Sequence, residues 1–128
     1  MFVELASEQQ AEYVAGVLAA QFLQQGGLVT TCSNSEQQWD APNGWAPLHW
    51  FVVNGLSKYQ HQDLANTILK RWQNTVEIYF KQTGKLMEKY NVCEQRSKAS
   101  GGEYDVQEGF GWTNGVYQAF AKIMSSVN

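Results

Sequence analysis

Apolar residues recur along this chain at intervals of three and four, the spacing of one face of a helix. The first such run covers about Ser7 to Gln25. Val14, Val17, Leu18 and Phe22 form its apolar stripe, and Gln9, Gln10, Glu12, Gln24 and Gln25 its polar face. Ser7 followed three residues later by Gln10 fits a capping box, and Gly26–Gly27 can take the left-handed backbone that ends a helix. Leu28–Cys32 reads as a short extended piece or loop. Residues 33–46 read as loop, with Asn34, Asp40, Pro42, Asn43 and Gly44 as turn formers.

A second helix is predicted from Pro47, a residue suited to the first helical position, to about Tyr59. Its apolar residues, Leu48 through Leu56, wrap most of the way round, which predicts burial on more than one side. A third is predicted over Gln62–Thr83. Leu64, Ile68, Trp72, Val76 and Tyr79 or Phe80 face inward there, Lys70, Arg71, Glu77 and Lys81 lie off the stripe, and Gly84 is the stop. Residues 85–110 read as irregular, with a small-residue patch at Ala99–Gly102. A last helix is predicted from near Thr113 to Ser125, with Val116, Phe120 and Ile123 inward. No segment has the period of a strand. The alternation predicts an all-α fold, stacked helical hairpins with long loops, and loops of such length tend to carry function.

Length and charge narrow the class. The 128 residues suit one domain. Charged residues are 16% of the chain, well below the usual quarter, which argues against a disordered or coiled-coil sequence. A net charge of −3 argues against a nucleic-acid partner, which would need a Lys/Arg excess on one face. No apolar run has the length of a membrane span, and no basic start followed by an apolar stretch reads as a signal peptide. Cys32 and Cys93 have no pairing spacing and lean toward a reducing compartment, with periplasmic or secreted locations left open. With His49 and His61 as the histidines, no metal-ligand cluster is visible, and no metal or organic cofactor is expected.

The standard constellations are absent: no GxSxG, no HExxH, no phosphate-binding loop. Gly109 to Gly115 is glycine-rich, but its spacing misses GxGxxG and no strand precedes it. Two loops remain. One is QQWDAPNGWAP, Gln37–Pro47. The other combines Glu88-Lys89-Tyr90 with GGEYDVQEGFGWTNG, Gly101–Gly115. Both set indoles, amides and carboxylates beside glycines, which is the chemistry of a carbohydrate site. Carboxylates and amides hydrogen-bond vicinal hydroxyls, and an indole face covers the C–H face of a pyranose. The plainer reading uses the same residues. Trp39 and Trp45 anchor a loop, Asp40, Asn43 and Asn114 cap turns, and Glu88 and Glu103 are solvated.

QQWDAPNGWAP and GGEYDVQEGFGWTNG resemble the two most characteristic stretches of the C-terminal part of trehalases. LMEKYNV, Leu86–Val92, resembles the pattern between them, and a looser match runs from Phe2 to Val116. The resemblance implies part of an (α/α)6 toroid of six helical hairpins, with residues 1–128 as one segment from the C-terminal portion of the catalytic domain. It implies hydrolysis of α,α-trehalose to two glucoses with inversion. Inversion takes one carboxylic acid to protonate the glycosidic oxygen and a second carboxylate, about 6.5–9.5 Å away, to deprotonate a water.

By position in the motifs, Glu88 matches the family's general base and Glu103 a glutamate that binds sugar hydroxyls. Trp39 and Trp45 would wall the pocket, Gln38 and Asp40 would be polar contacts or loop clasps, and Phe110 with Trp112 would help close the site. Lys89 reads as a surface or structural charge. Glu36 stands where the family has glycine before QQWD, and Ser100-Gly101-Gly102 shortens a longer glycine run. Nothing matches the family's acid aspartate or its substrate-clamping arginines. Of the three aspartates, Asp40, Asp63 and Asp105, Asp63 falls at a predicted helix start, where capping is expected. The chain is therefore expected to carry the base without the acid and to be inactive alone. The alternative is a non-catalytic remnant that holds glucosides. Expected partners are trehalose or glucose, with no nucleic acid and no membrane. Self-association through bared apolar faces of the Pro47–Tyr59 and Thr113–Ser125 helices, or binding to the remainder of the toroid, is also expected.

Overall fold

The computed structural model describes residues 1–94 and 105–126. Four helices carry the architecture: α1 (Glu8–Val17), α2 (Ala46–Lys58), α3 (Gln62–Thr83) and α4 (Gly111–Ser125). Four strands of two or three residues join them: β1 (Leu23–Gln24), β2 (Gly27–Leu28), β3 (Asn43–Trp45) and β4 (Lys89–Asn91). The chain is mostly helical, as the apolar spacing predicts. The strands escape that reading because two or three residues cannot display an alternating pattern.

Ser7 caps α1 through the capping box: the Gln10 amide donates to Ser7 Oγ at 3.2 Å and the Ser7 amide to Gln10 Oε1 at 2.8 Å. The helix does not continue to Gln25. One π-helical turn, Leu18–Phe22, ends it, and the chain enters the β1–β2 hairpin. Its inward stripe is Ala11, Ala15, Leu18 and Phe22, while Val14 faces solvent. Both sets obey a helical period; the small alanines are what the core accepts. The glycine pair does not cap the helix. Gly26 sits in the hairpin turn, and Gly27 opens β2 at φ 138° against the His49 ring, where a Cβ would lie 2.5 Å from His49 Nε2.

The α2 and α3 boundaries match the sequence reading within a residue, with Pro47 in the first turn of α2 and Gly84 left-handed at φ 69°. Asp63 lies in the first turn of α3 rather than at its cap, which is His61. There it still suits the positive end of the helix dipole. Val53 and Leu56 of α2, Ile68, Leu69, Trp72 and Val76 of α3, Phe120 of α4, and Tyr90 and Val92 share one core. Of the two inward candidates at the end of α3, Tyr79 packs on the core and Phe80 is exposed. Phe51 of α2 and Met124 of α4 are the large apolar residues those helices leave exposed. No helix among the described residues is long and apolar enough to cross a membrane.

Polar bonds tie the first hairpin to the helices. Arg71 Nη1 donates to the Gln24 carbonyl at 2.8 Å, and Thr75 Oγ1 to that of Gly26 at 2.9 Å. His49 is fully buried and stacks on Trp72. Its Nε2 accepts the Leu28 amide at 2.8 Å, so Nδ1 carries the proton and donates to the Trp45 carbonyl at 2.8 Å. Burial holds the imidazole neutral and lowers its pKa to about 4, against a smaller opposing effect of the Trp45 carbonyl.

Candidate active site

The second short sheet brings the two motif loops together. β3 and β4 pair antiparallel, Asn43 opposite Asn91, Gly44 opposite Tyr90 and Trp45 opposite Lys89. Residues 43–45 belong to QQWDAPNGWAP, and 89–91 follow Glu88 directly. Gly44 is required at its position: a Cβ would sit 2.6 Å from Val92 Cγ1 and 2.7 Å from the Leu28 carbonyl oxygen. The sequence reading left 85–110 irregular, yet this segment holds β4 and a bridge between Met87 and Glu108.

Glu88 is 4% exposed, so the solvated reading of this residue does not hold. Its amide donates to the Gln107 carbonyl at 2.8 Å, and its carbonyl accepts the Trp112 indole N–H at 3.1 Å. The preceding Met87 carbonyl accepts Thr113 Oγ1 at 2.6 Å, and the Met87 amide donates to the Tyr90 hydroxyl at 2.9 Å. Burial pushes the Tyr90 phenol up to about 12. Lys89 is no surface charge. It is 1% exposed, with its ammonium 5.7 Å from the centre of the Trp45 ring. Burial lowers its pKa, and the neighbouring Glu88 carboxylate works in the opposite direction.

The two tryptophans of the first motif differ sharply. They stack in parallel, centroids 3.8 Å apart, with Trp39 44% exposed and Trp45 1% exposed. Trp45 is further covered edge-on by Trp112 at 5.6 Å, and Phe110 lies 4.7 Å from Trp112. Trp45 is thus the buried support, and Trp39 presents the free indole face. The Gln38 main-chain carbonyl accepts the Trp45 indole N–H at 3.2 Å and Asn43 Nδ2 at 3.3 Å, while Gln38 Oε1 is buried without a partner among the described residues.

Asp40 serves as a loop clasp. Its carboxylate accepts Thr31 Oγ1 at 3.0 Å and the Ser35 hydroxyl, and these bonds, Ser35 first, lower its pKa. An unbroken chain of contacts runs from Trp39 through Trp45 and Trp112 to Glu88. Glu103 and the small-residue patch lie outside the described residues. Thr113, fully buried against the Met87 carbonyl, was missed in sequence. Its signal was there, in the FGWTNG stretch, but a threonine two residues into a helix reads as ordinary.

Helical hairpins topped by loops that gather an indole platform and a buried glutamate make a glycosidase-like arrangement. The family model described as trehalase matches residues 1–125, and the chain belongs to the trehalase family of glycoside hydrolases. It is 47% identical over 116 residues to the periplasmic trehalase of Pseudomonas aeruginosa, covering 91% of this chain and 21% of that protein. The periplasmic trehalase of Xanthomonas campestris pv. campestris is also 47% identical, with 20% of its length covered. Among solved structures, the neutral trehalase of Saccharomyces cerevisiae superposes with a TM-score of 0.77 at 27% identity, covering 94% of this chain and 22% of that one. The chain thus spans about a fifth of the length of the curated relatives it matches, and its hairpins are part of a toroid fold.

Proposed function

We propose that residues 1–128 form one segment of the C-terminal portion of a trehalase catalytic domain and supply the general-base side of an inverting α,α-trehalose hydrolase. Glu88 is the base. It takes a proton from the water that attacks the anomeric carbon, while an acid outside this segment protonates the leaving oxygen. Trp39 offers its open indole face to a pyranose, with Trp45 behind it. Gln38, half-buried beside Trp39, is a polar contact for the sugar or a clasp of its loop. Glu103 binds hydroxyls, Phe110 packs on Trp112 to close the wall, and Asp40 keeps the first loop in shape for these contacts.

The observation that carries this reading is the burial of Glu88, its backbone bonded to Gln107 and Trp112 of the second motif, one residue before the strand that pairs with the first. A surface glutamate needs no such setting. The acid is missing on this reading: Asp40 is bound within its loop, Asp63 lies on α3, and Asp105 is an exposed residue of the GGEYDVQEGFGWTNG motif rather than of a separate upstream segment. The purified chain should therefore release no glucose from trehalose. It should release glucose when placed in the P. aeruginosa enzyme in exchange for the matching segment, and Glu88→Gln should abolish that turnover. Activity retained after Glu88→Gln would exclude the base assignment. In isolation, Phe51, Met124 and the exposed N-terminal side chains Val3, Leu5 and Tyr13 provide surface for self-association. A concentration-independent monomer in sedimentation would count against that last point.

A further inference from the structure

We propose that the first turn of α4 positions the carboxylate at residue 88, with Thr113 and Trp112 as positioning residues; the inference rests on Glu88 being the base. The direction of a Cα–Cβ bond is set by the two peptide planes that meet at that Cα. Here both planes are held. In the plane before Glu88, the Met87 carbonyl accepts Thr113 Oγ1 at 2.6 Å and the Glu88 amide donates to Gln107 at 2.8 Å. In the plane after it, the Glu88 carbonyl accepts Trp112 Nε1 at 3.1 Å, and Lys89 is paired with Trp45 across β3–β4.

The two clamping side chains are consecutive and come from one rigid element, which has its own packing on α2 and α3 through Phe120. Trp112 also touches Trp45 edge-on. The same indole therefore sets the base relative to the stack that ends in Trp39. A carboxylate misplaced by an ångström can cost on the order of 100-fold in rate, so such a clamp acts on kcat rather than on sugar affinity.

The test uses Thr113→Val, which removes the hydroxyl at constant shape, Thr113→Ser, which restores it, and Trp112→Phe. In the 128-residue chain, the amide resonance of Glu88 and the indole resonance of Trp112 should move in Thr113→Val and return in Thr113→Ser. Unmoved resonances overturn the proposal even if no active form is obtained. In the exchanged P. aeruginosa enzyme, Thr113→Val should lower kcat about 10–100-fold with KM within about threefold, and Thr113→Ser should recover it. Trp112→Phe should fall between. A kcat loss that vanishes when corrected for the folded fraction, or one that serine does not rescue, means the hydroxyl serves stability alone and the proposal fails. Glu88→Gln in the same background separates the two ideas. If it keeps full activity, the base reading is wrong; if it is dead while Thr113→Val is unaffected, only the clamp is wrong.

Discussion

In the α2–α3 pair the buried side chains are mainly apolar: Val53, Leu56, Ile68, Leu69, Trp72 and Val76. A few residues away, around β3 and β4, they include Asn43, Glu88, Lys89, Asn91 and Thr113. The first region is held by area removed from water, a non-directional effect that tolerates many sequences. The second is held by named donors and acceptors, each with one geometry. Buried polar groups cost free energy unless each is hydrogen-bonded, and an apolar layer of the same shape could be about as stable, so stability alone does not call for these residues. The contrast separates the part of the molecule that makes it fold from the part that makes it specific.

The sharpest way to break the comparison is Glu88→Gln. In the catalytic unit, kcat should fall by about 10²–10⁴, the usual range for a lost general base. Urea titration should find a loss of no more than about 1 kcal/mol, because the side chain keeps its shape and one acceptor oxygen. A large stability loss would make Glu88 a structural residue. The converse experiment is Leu56→Ala in the apolar region. It should cost about 2–5 kcal/mol by urea titration, and activity should fall only with the folded fraction.

His49 lies at the junction of the two regions. Its pKa of about 4 in the folded chain lies below the ordinary 6.5. Above pH 6.5 the ring is neutral folded and unfolded, and stability is at its full value. As pH drops below 6.5 the unfolded chain takes up a proton that the folded chain refuses, so stability falls until about pH 4, by about 3 kcal/mol in all. Denaturation midpoints measured from pH 7 to 4 should show this slope, and His49→Gln should lack it. Gly44→Ala should cost about 1–3 kcal/mol by overpacking against Val92 and the Leu28 carbonyl. A modest stability effect is expected at Trp39, whose outer face is already in water while its inner face is stacked on Trp45: Trp39→Ala should cost about 1–2 kcal/mol. It should still weaken trehalose binding in the catalytic unit, read by isothermal titration. Unchanged binding would remove Trp39 from the sugar platform.

The helices were legible because a 22-residue amphipathic run such as Gln62–Thr83 repeats its message many times. The motif residues were legible as a group, through resemblance, but not their division of labour. Trp39 and Trp45 read alike as pocket walls; the fold makes one a support and leaves the other open. Lys89 read as surface or structural, and the choice was decided by strand pairing that puts it beside Trp45. The phase of α1 was misread, because Val14 and Ala15 both satisfy a helical period and only the neighbour's shape selects between them.

By itself, then, the order of residues determined that four helices form and, for α2 and α3, where they start and stop, since periodicity, proline and glycine act within a few residues of each other; the end of α1 it did not determine. The tertiary structure decided which polar side chains are buried and what they touch. Some of those contacts join distant residues, such as Trp112 with Glu88, 24 positions apart, and Thr75 with Gly26, 49 apart. No local pattern encodes a hydrogen bond across such a span, because its partners meet only after the apolar core has brought their elements together.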